Sequence, residues 1–172
     1  GINLDHLSPA AGHSWKLIVI VDQFPKQDTI SALAFDYGTQ RIGVAFGQSV
    51  SGSAKAVCVI KAKDGIPDWH DIEKLLEEWR PDIAVVGLPY NMDGSESELL
   101  IRAIKFSKRL NGRFGLPCYG MDERLSSKEA AQQVLNVSSG TKKIAAIDDI
   151  AAQIILENWF SEFDRSKSAS KD

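Results

Sequence analysis

Ile83-Ala84-Val85-Val86-Gly87-Leu88 is apolar at every position. A run of that length reads as a strand, and a strand with no polar side must be covered on both faces. The rest of the chain has to supply that cover.

Ahead of it, Ile30–Phe35 is a second apolar run of strand length, and Gly38 punctuates the turn that follows. Arg41-Ile42-Gly43-Val44-Ala45-Phe46 returns at once, and so short a connection permits only an antiparallel pair. A third strand is expected over 54–60, after the Gly47–Ser53 turn. Pro67 and Asp68 open a helix with Trp69, Ile72, Leu75, Leu76 and Trp79 on one face. A loop, 89–95, leads to a helix through Leu100, Ala103, Ile104 and Leu110, then to a strand over 116–121. Ser126 and Glu129 form a capping box for a further helix, and a last helix is expected over 147–160. The pattern gives an α/β domain with a mixed five-stranded central sheet, three antiparallel strands followed by parallel ones, flanked by helices. The domain covers 30–160. Residues 1–29 form an extension that does not begin with Met, with one possible strand over 15–21. Residues 161–172 read as a polar, disordered tail.

At 172 residues and 18.9 kDa, one domain with a full core is expected. No apolar stretch approaches the roughly 20 residues that span a bilayer, and no secretory signal is visible. Cys58 and Cys118 lie in apolar runs and read as small buried thiols, which suits a reducing compartment. A net charge of −3 argues mildly against a nucleic-acid partner. Charge is local, however: Arg102, Lys105, Lys108, Arg109 and Arg113 fall within twelve positions. A solvated helix face is the plainer reading of such a run.

The acids carry the chemistry. Asp36 ends the first apolar run, Asp122-Glu123-Arg124 follows the last strand, and Asp148-Asp149 opens the closing helix. Acids gathered from distant segments at strand ends build divalent-metal sites for phosphate chemistry. Taken singly, Asp36 and Asp122 are equally well read as turn and helix-start residues; the third acidic site shifts the balance. An inward stripe of Ile147, Ala151, Ile154, Ile155 and Asn158 places Asp148 at its edge and Asp149 nearly opposite, favouring Asp148. At about 5 Å and an effective dielectric near 20, each carboxylate pair repels by roughly 3 kcal/mol. The cluster therefore needs a cation or a retained proton. Oxygen ligands point to Mg²⁺ or Mn²⁺, and His6, His13 and His70 offer no zinc spacing. Gly140-Thr141-Lys142-Lys143 lacks the glycine spacing of a P-loop.

Four ordered segments closely resemble the YqgF/RuvX family. They are Phe35–Ala45, Gly87–Ser95, Asp122–Ser126, and Lys142-Lys143 with Asp148–Ala152. The resemblance covers about 30–160. It implies a ribonuclease H-like fold and a cytoplasmic bacterial nuclease that matures the 5′ end of pre-16S ribosomal RNA, or a Holliday junction resolvase. It also implies that Asp36, Glu123 and Asp148 hold the catalytic metals, with Asp122 assisting. The extension departs from the usual start of the family.

The expected reaction is phosphodiester hydrolysis at a two-metal site, with ions about 3.5–4 Å apart. Arg41, Asn91, Arg124, Lys142 and Lys143 are the expected contacts to substrate phosphates. The expected partner is structured RNA or branched DNA, with the chain a monomer or weak homodimer. Two rivals remain. A sugar-kinase-like phosphotransferase would need two such halves, and a non-catalytic nucleic-acid-binding module would have no use for the acids.

Overall fold

The computed structural model describes residues 24–125 and 146–170, with side chains for 24–124 and 150–169. In chain order the described elements are strands β1 (Ser31–Asp36), β2 (Arg41–Gln48), β3 (Ser53–Lys63) and β4 (Ile66–Pro67). Helix α1 (Trp69–Trp79), β5 (Ile83–Leu88), α2 (Glu98–Phe114) and β6 (Cys118–Asp122) follow. A 3-10 turn (Glu123–Leu125) and helix α3 (Ala146–Ser170) complete the set. The expected strands at 15–21 and capping box at Ser126 lie outside the described residues.

The strands form one sheet in the order β4-β3-β2-β1-β5-β6. β1 through β4 are antiparallel in sequence, while β1 pairs with β5 and β5 with β6 in parallel. This is the expected mixed sheet, antiparallel strands followed by parallel ones, with one strand more. The extra strand is Ile66–Pro67, which turns back on the end of an eleven-residue β3. Pro67 thus closes a strand rather than opening a helix. Asp68 is the N-cap of α1, its side chain accepting from the His70 amide.

Alternation along β1 sorts the two faces. Leu33 and Phe35 point to a core with Ile72, Leu75, Ala103, Phe106 and Leu110 of α1 and α2. Ala32 and Ala34 point to the opposite core, filled by Ala152, Ile155, Leu156, Trp159, Phe160 and Phe163 of α3. Small side chains on that face let the thick helix lie close to the sheet. β5 is buried at all six positions, as a strand covered on both faces must be.

α3 departs from expectation in two ways. It runs on to Ser170, so 161–170 is helix rather than a disordered tail. Phe163 is fully buried and stacks on Trp159 at 5.2 Å. Burying such a ring stabilises by about 2–3 kcal/mol, enough to hold the helix past its polar neighbours. Phe24 of the extension packs on Trp159 and Phe163, so the end of that extension is seated on the domain.

The second departure is rotational. Past Ile150, which is also buried, the buried stripe is Ala152, Ile155, Leu156, Trp159, Phe160 and Phe163, turned from the stripe expected through Ile147, Ala151, Ile154, Ile155 and Asn158 and sharing only Ile155 with it. At about 100° per residue, positions 148 and 149 both fall roughly 50° from its centre. Helical phase therefore no longer separates Asp148 from Asp149.

Cys58 is half-buried rather than buried as expected, whereas Cys118 is buried, and burial pushes its thiol up to about 12. Such a thiol is inert at physiological pH. Among the described residues no helix is long and apolar enough to cross a membrane.

Candidate active site

Asp36 continues the alternation of Ala32 and Ala34, so it stands on the α3 face at the carboxyl end of β1. Glu123 continues Tyr119 and Met121 from β6 onto the same face. Between these strands lies β5, where the corresponding residue is Gly87. A Cβ there would sit 2.7 Å from Glu123 Oε1 and 2.7 Å from Ile155 Cδ1. Glycine leaves the space through which Glu123 reaches Asp36, and the two carboxyl groups are hydrogen-bonded. Ligand sites of parallel sheets gather at this carboxyl edge.

α3 delivers its first turn to the same edge. Ile155 lies over Gly87, near the carboxyl end of β5, whereas Phe160 lies over Gly47 and Glu157 accepts from the Ala54 amide at the far edge. The helix therefore runs antiparallel to β1. Asp148 and Asp149 lie two turns back from Ile155, about 9–10 Å along the axis, on the Asp36 side. Their side chains lie outside the described residues. Among the described residues no group of three or more His, Cys, Asp or Glu side chains is placed to hold a metal ion.

The Glu123 carboxyl holds its proton above the usual carboxylate range. Burial is the main cause, the hydrogen bond with Asp36 opposes it, and the Asp122 charge adds to it. A raised folded-state value means that the folded chain binds this proton more tightly than the unfolded chain. The stability this group contributes is thus complete at low pH and is lost as pH rises from about 4.5 through the folded value. Urea unfolding of the chelated protein should show this component, and Glu123→Gln should remove it. An unchanged pH dependence in that variant would count against the buried carboxyl pair.

Asp122 goes elsewhere. It lies opposite Leu88 in the β5–β6 register, on the α2 face. Both its oxygens accept from Arg124, at 3.1 Å from Nε and 2.6 Å from Nη2, and its Oδ1 also accepts from the Arg124 amide at 2.9 Å. The structure does not join Asp122 to the Asp36–Glu123 pair as a ligand. Arg124, expected on a substrate phosphate, is braced within the chain: its guanidinium also lies 5.1 Å from the Tyr90 ring centroid. It ties β6 to the loop after β5.

Asn91 belongs to that loop and spends its amide on Ser95 Oγ at 2.9 Å, within a turn closed by Gly94 N to Asn91 O at 2.9 Å. Ser97 caps α2 through the Leu100 amide and donates to Pro89 O at 2.8 Å. Arg41 is exposed at the start of β2, across the turn from Asp36. In that turn a Cβ on Gly38 would meet Arg41 O at 2.5 Å. Lys142 and Lys143 lie outside the described residues. The site thus depends on two residues not singled out for it, Gly87 and Tyr90. A glycine inside an otherwise unbroken apolar strand is the signal for the first; Tyr90 carries none.

The model of the family described as "RuvX: Holliday junction resolvase" matches residues 30–162. The chain belongs to the RuvX family. RuvX relatives include a Pseudomonas fluorescens (strain Pf-5) protein, 49% identical over 132 residues, covering 76% of this chain and 91% of its own. A Haemophilus influenzae (strain PittGG) protein is 51% identical over 133 residues, covering 76% and 95%. Each bears the name "Putative pre-16S rRNA nuclease". Among solved structures, Thermus thermophilus RuvC in complex with a Holliday junction aligns with a TM-score of 0.48 at 14% identity, over 78% of this chain and 95% of that one. The segment matched by the family model runs from just before β1 into α3.

Proposed function

We propose that this chain is a metal-dependent endonuclease that processes the 5′ end of pre-16S ribosomal RNA in the cytoplasm. One observation carries the reading. Two carboxyl groups, Asp36 at the end of β1 and Glu123 just after β6, meet on the α3 face at the carboxyl edge of the sheet. The names of the RuvX relatives support the substrate.

The residues fit Mg²⁺ or Mn²⁺. Every donor is a carboxylate oxygen, and Glu123 is a buried carboxyl whose proton a bound cation would displace. Asp36, Glu123 and Asp148 would hold the ions. A divalent ion held there supplies Lewis acidity toward water and a phosphate oxygen. Asp36 and Glu123 set the position of that chemistry from the sheet edge, which gives precision that a loop would lack. The Asp122–Arg124 fork holds Glu123 from the following residue and keeps the 89–97 loop beside it. Exposed Arg41 stands where a flanking phosphate would pass.

Junction cleavage is the second reading, favoured by the description of the family model. One assay tests both: precursor ribosomal RNA and four-way DNA, each with Mn²⁺ and with chelator. The expected result is RNA cleavage that chelation abolishes. Cleavage of the junction alone selects the second reading, and cleavage indifferent to chelation removes the metal from the mechanism.

A further inference from the structure

The outer face of α2 is charged in one sense only. Between Leu99 and Phe114 it carries Arg102, Lys105, Lys108, Arg109 and Arg113 and no acid. Arg102 is spoken for by Asp64 at 3.0 Å and Glu98 at 3.6 Å. The other four are exposed, and among the described residues none has a carboxylate within ion-pair distance. Four unneutralised cations on one helix, in a chain of net charge −3, are a local concentration of charge that folding does not require.

Their arrangement is regular. Lys105, Arg109 and Arg113 follow one another at four-residue steps, about 6 Å apart along the axis, and Lys108 stands beside them. Arg113 is steadied 4.6 Å from the Trp69 ring centroid, which lowers the cost of ordering it on binding. Gly112 is exposed between them, and a Cβ there would meet nothing within 4 Å. No internal contact calls for glycine, yet a helical glycine costs about 0.5–1 kcal/mol against alanine. Its bareness opens the ridge to close approach from outside.

We propose that this face of α2 is a track for the phosphate backbone of the substrate, outside the cleavage site. The inference rests on the nucleic-acid reading above and adds a second contact region to it. α2 starts at the site edge and runs away from it on the face opposite α3. Lys105 to Arg113 lie about 10–23 Å from the helix start. Only a nucleic acid extending well past the cut bond reaches them. The track therefore acts on affinity and on the length of substrate preferred, and leaves the chemical step alone.

The test neutralises the ridge in the full chain as Lys105→Gln/Lys108→Gln/Arg109→Gln. A control, Lys61→Gln/Lys63→Gln/Lys74→Gln, removes the same charge elsewhere. Binding of an RNA hairpin with single-stranded flanks, and of a DNA duplex of equal length, is titrated at several salt concentrations without divalent ions. For the ridge variant the salt slope on RNA should fall by about two to three, with Kd at ~0.1 M salt raised on the order of tenfold to a hundredfold. The control should shift far less. In cleavage, KM should rise for the long RNA, while kcat stays unchanged and a short oligonucleotide spanning only the cut is unaffected. Equal losses in ridge and control variants, or an unchanged slope, overturn the track. A loss seen on DNA alone would assign the ridge to DNA and overturn its role with RNA. Absence of cleavage by the wild-type protein strikes at the nuclease reading, whereas the binding titration still decides the track.

Discussion

Asp36→Asn is expected to lower cleavage by three orders of magnitude or more while leaving a folded chain. The carboxylate is lost from the proposed ion site, and an amide oxygen is a poor substitute for an anionic ligand. A thousandfold loss corresponds to about 4 kcal/mol of transition-state stabilisation, reasonable for an acid that positions both water and leaving group. The same substitution should not destabilise the metal-free protein. Asp36 is hydrogen-bonded to Glu123, and the amide of an asparagine can donate to that carboxylate without repelling it. Burial, the main cause of the raised Glu123 carboxyl, is untouched by this change, and the amide keeps the hydrogen bond that opposes it. The unfolding midpoint under chelation should therefore hold or rise, while stabilisation by added Mn²⁺ is lost. An inactive variant that has also lost its cooperative transition would show Asp36 to be structural. A variant with wild-type turnover would remove it from the site.

What could be read ahead of the structure divides along physical lines. β1, β2 and β5 were legible because their apolar runs are unbroken and a turn of three or four residues allows one topology. Asp36 was legible for the same reason: it is the first charge after a run that must be buried. β4 was not, since a two-residue strand has no period, and Pro67 signals a strand edge as readily as a helix start. The length of α3 was hidden by Asp164, Arg165, Lys167 and Lys171, whose polarity masks one decisive anchor, Phe163. Its rotation was missed because Ala151, Ala152, Ile154 and Ile155 fit either of two neighbouring stripes. Only the aromatic pair Trp159 and Phe160, selected by the cavity over the small residues of β1 and β2, settles which one packs. The Asp122–Arg124 fork is beyond any spacing rule. Two residues apart on a turn, either side chain can face either way until Leu88 and Tyr90 fix the surroundings.

Gly87→Ala adds one methyl group and is expected to cost far more in activity than in stability. The new Cβ would lie 2.7 Å from Glu123 Oε1, 3.2 Å from its Cδ and 2.7 Å from Ile155 Cδ1. β5 cannot retreat, because it is hydrogen-bonded to β1 on one side and β6 on the other. Ile155 is buried in the α3 core, so relief on that side moves the helix that carries Asp148. Relief on the other side swings Glu123 away from Asp36. Either path misplaces an acid, and an error of about 1 Å at a catalytic group costs on the order of a hundredfold. Overpacking of this kind also destabilises by about 1–3 kcal/mol. The measurement is kcat with saturating Mn²⁺, per folded molecule, well below the unfolding midpoint. Gly112→Ala is the matched comparison, since its methyl group meets nothing and helix propensity should gain about 0.5–1 kcal/mol. A Gly87→Ala enzyme with wild-type kcat would mean that Glu123 does not need its present position, and the pairing with Asp36 would no longer define the site.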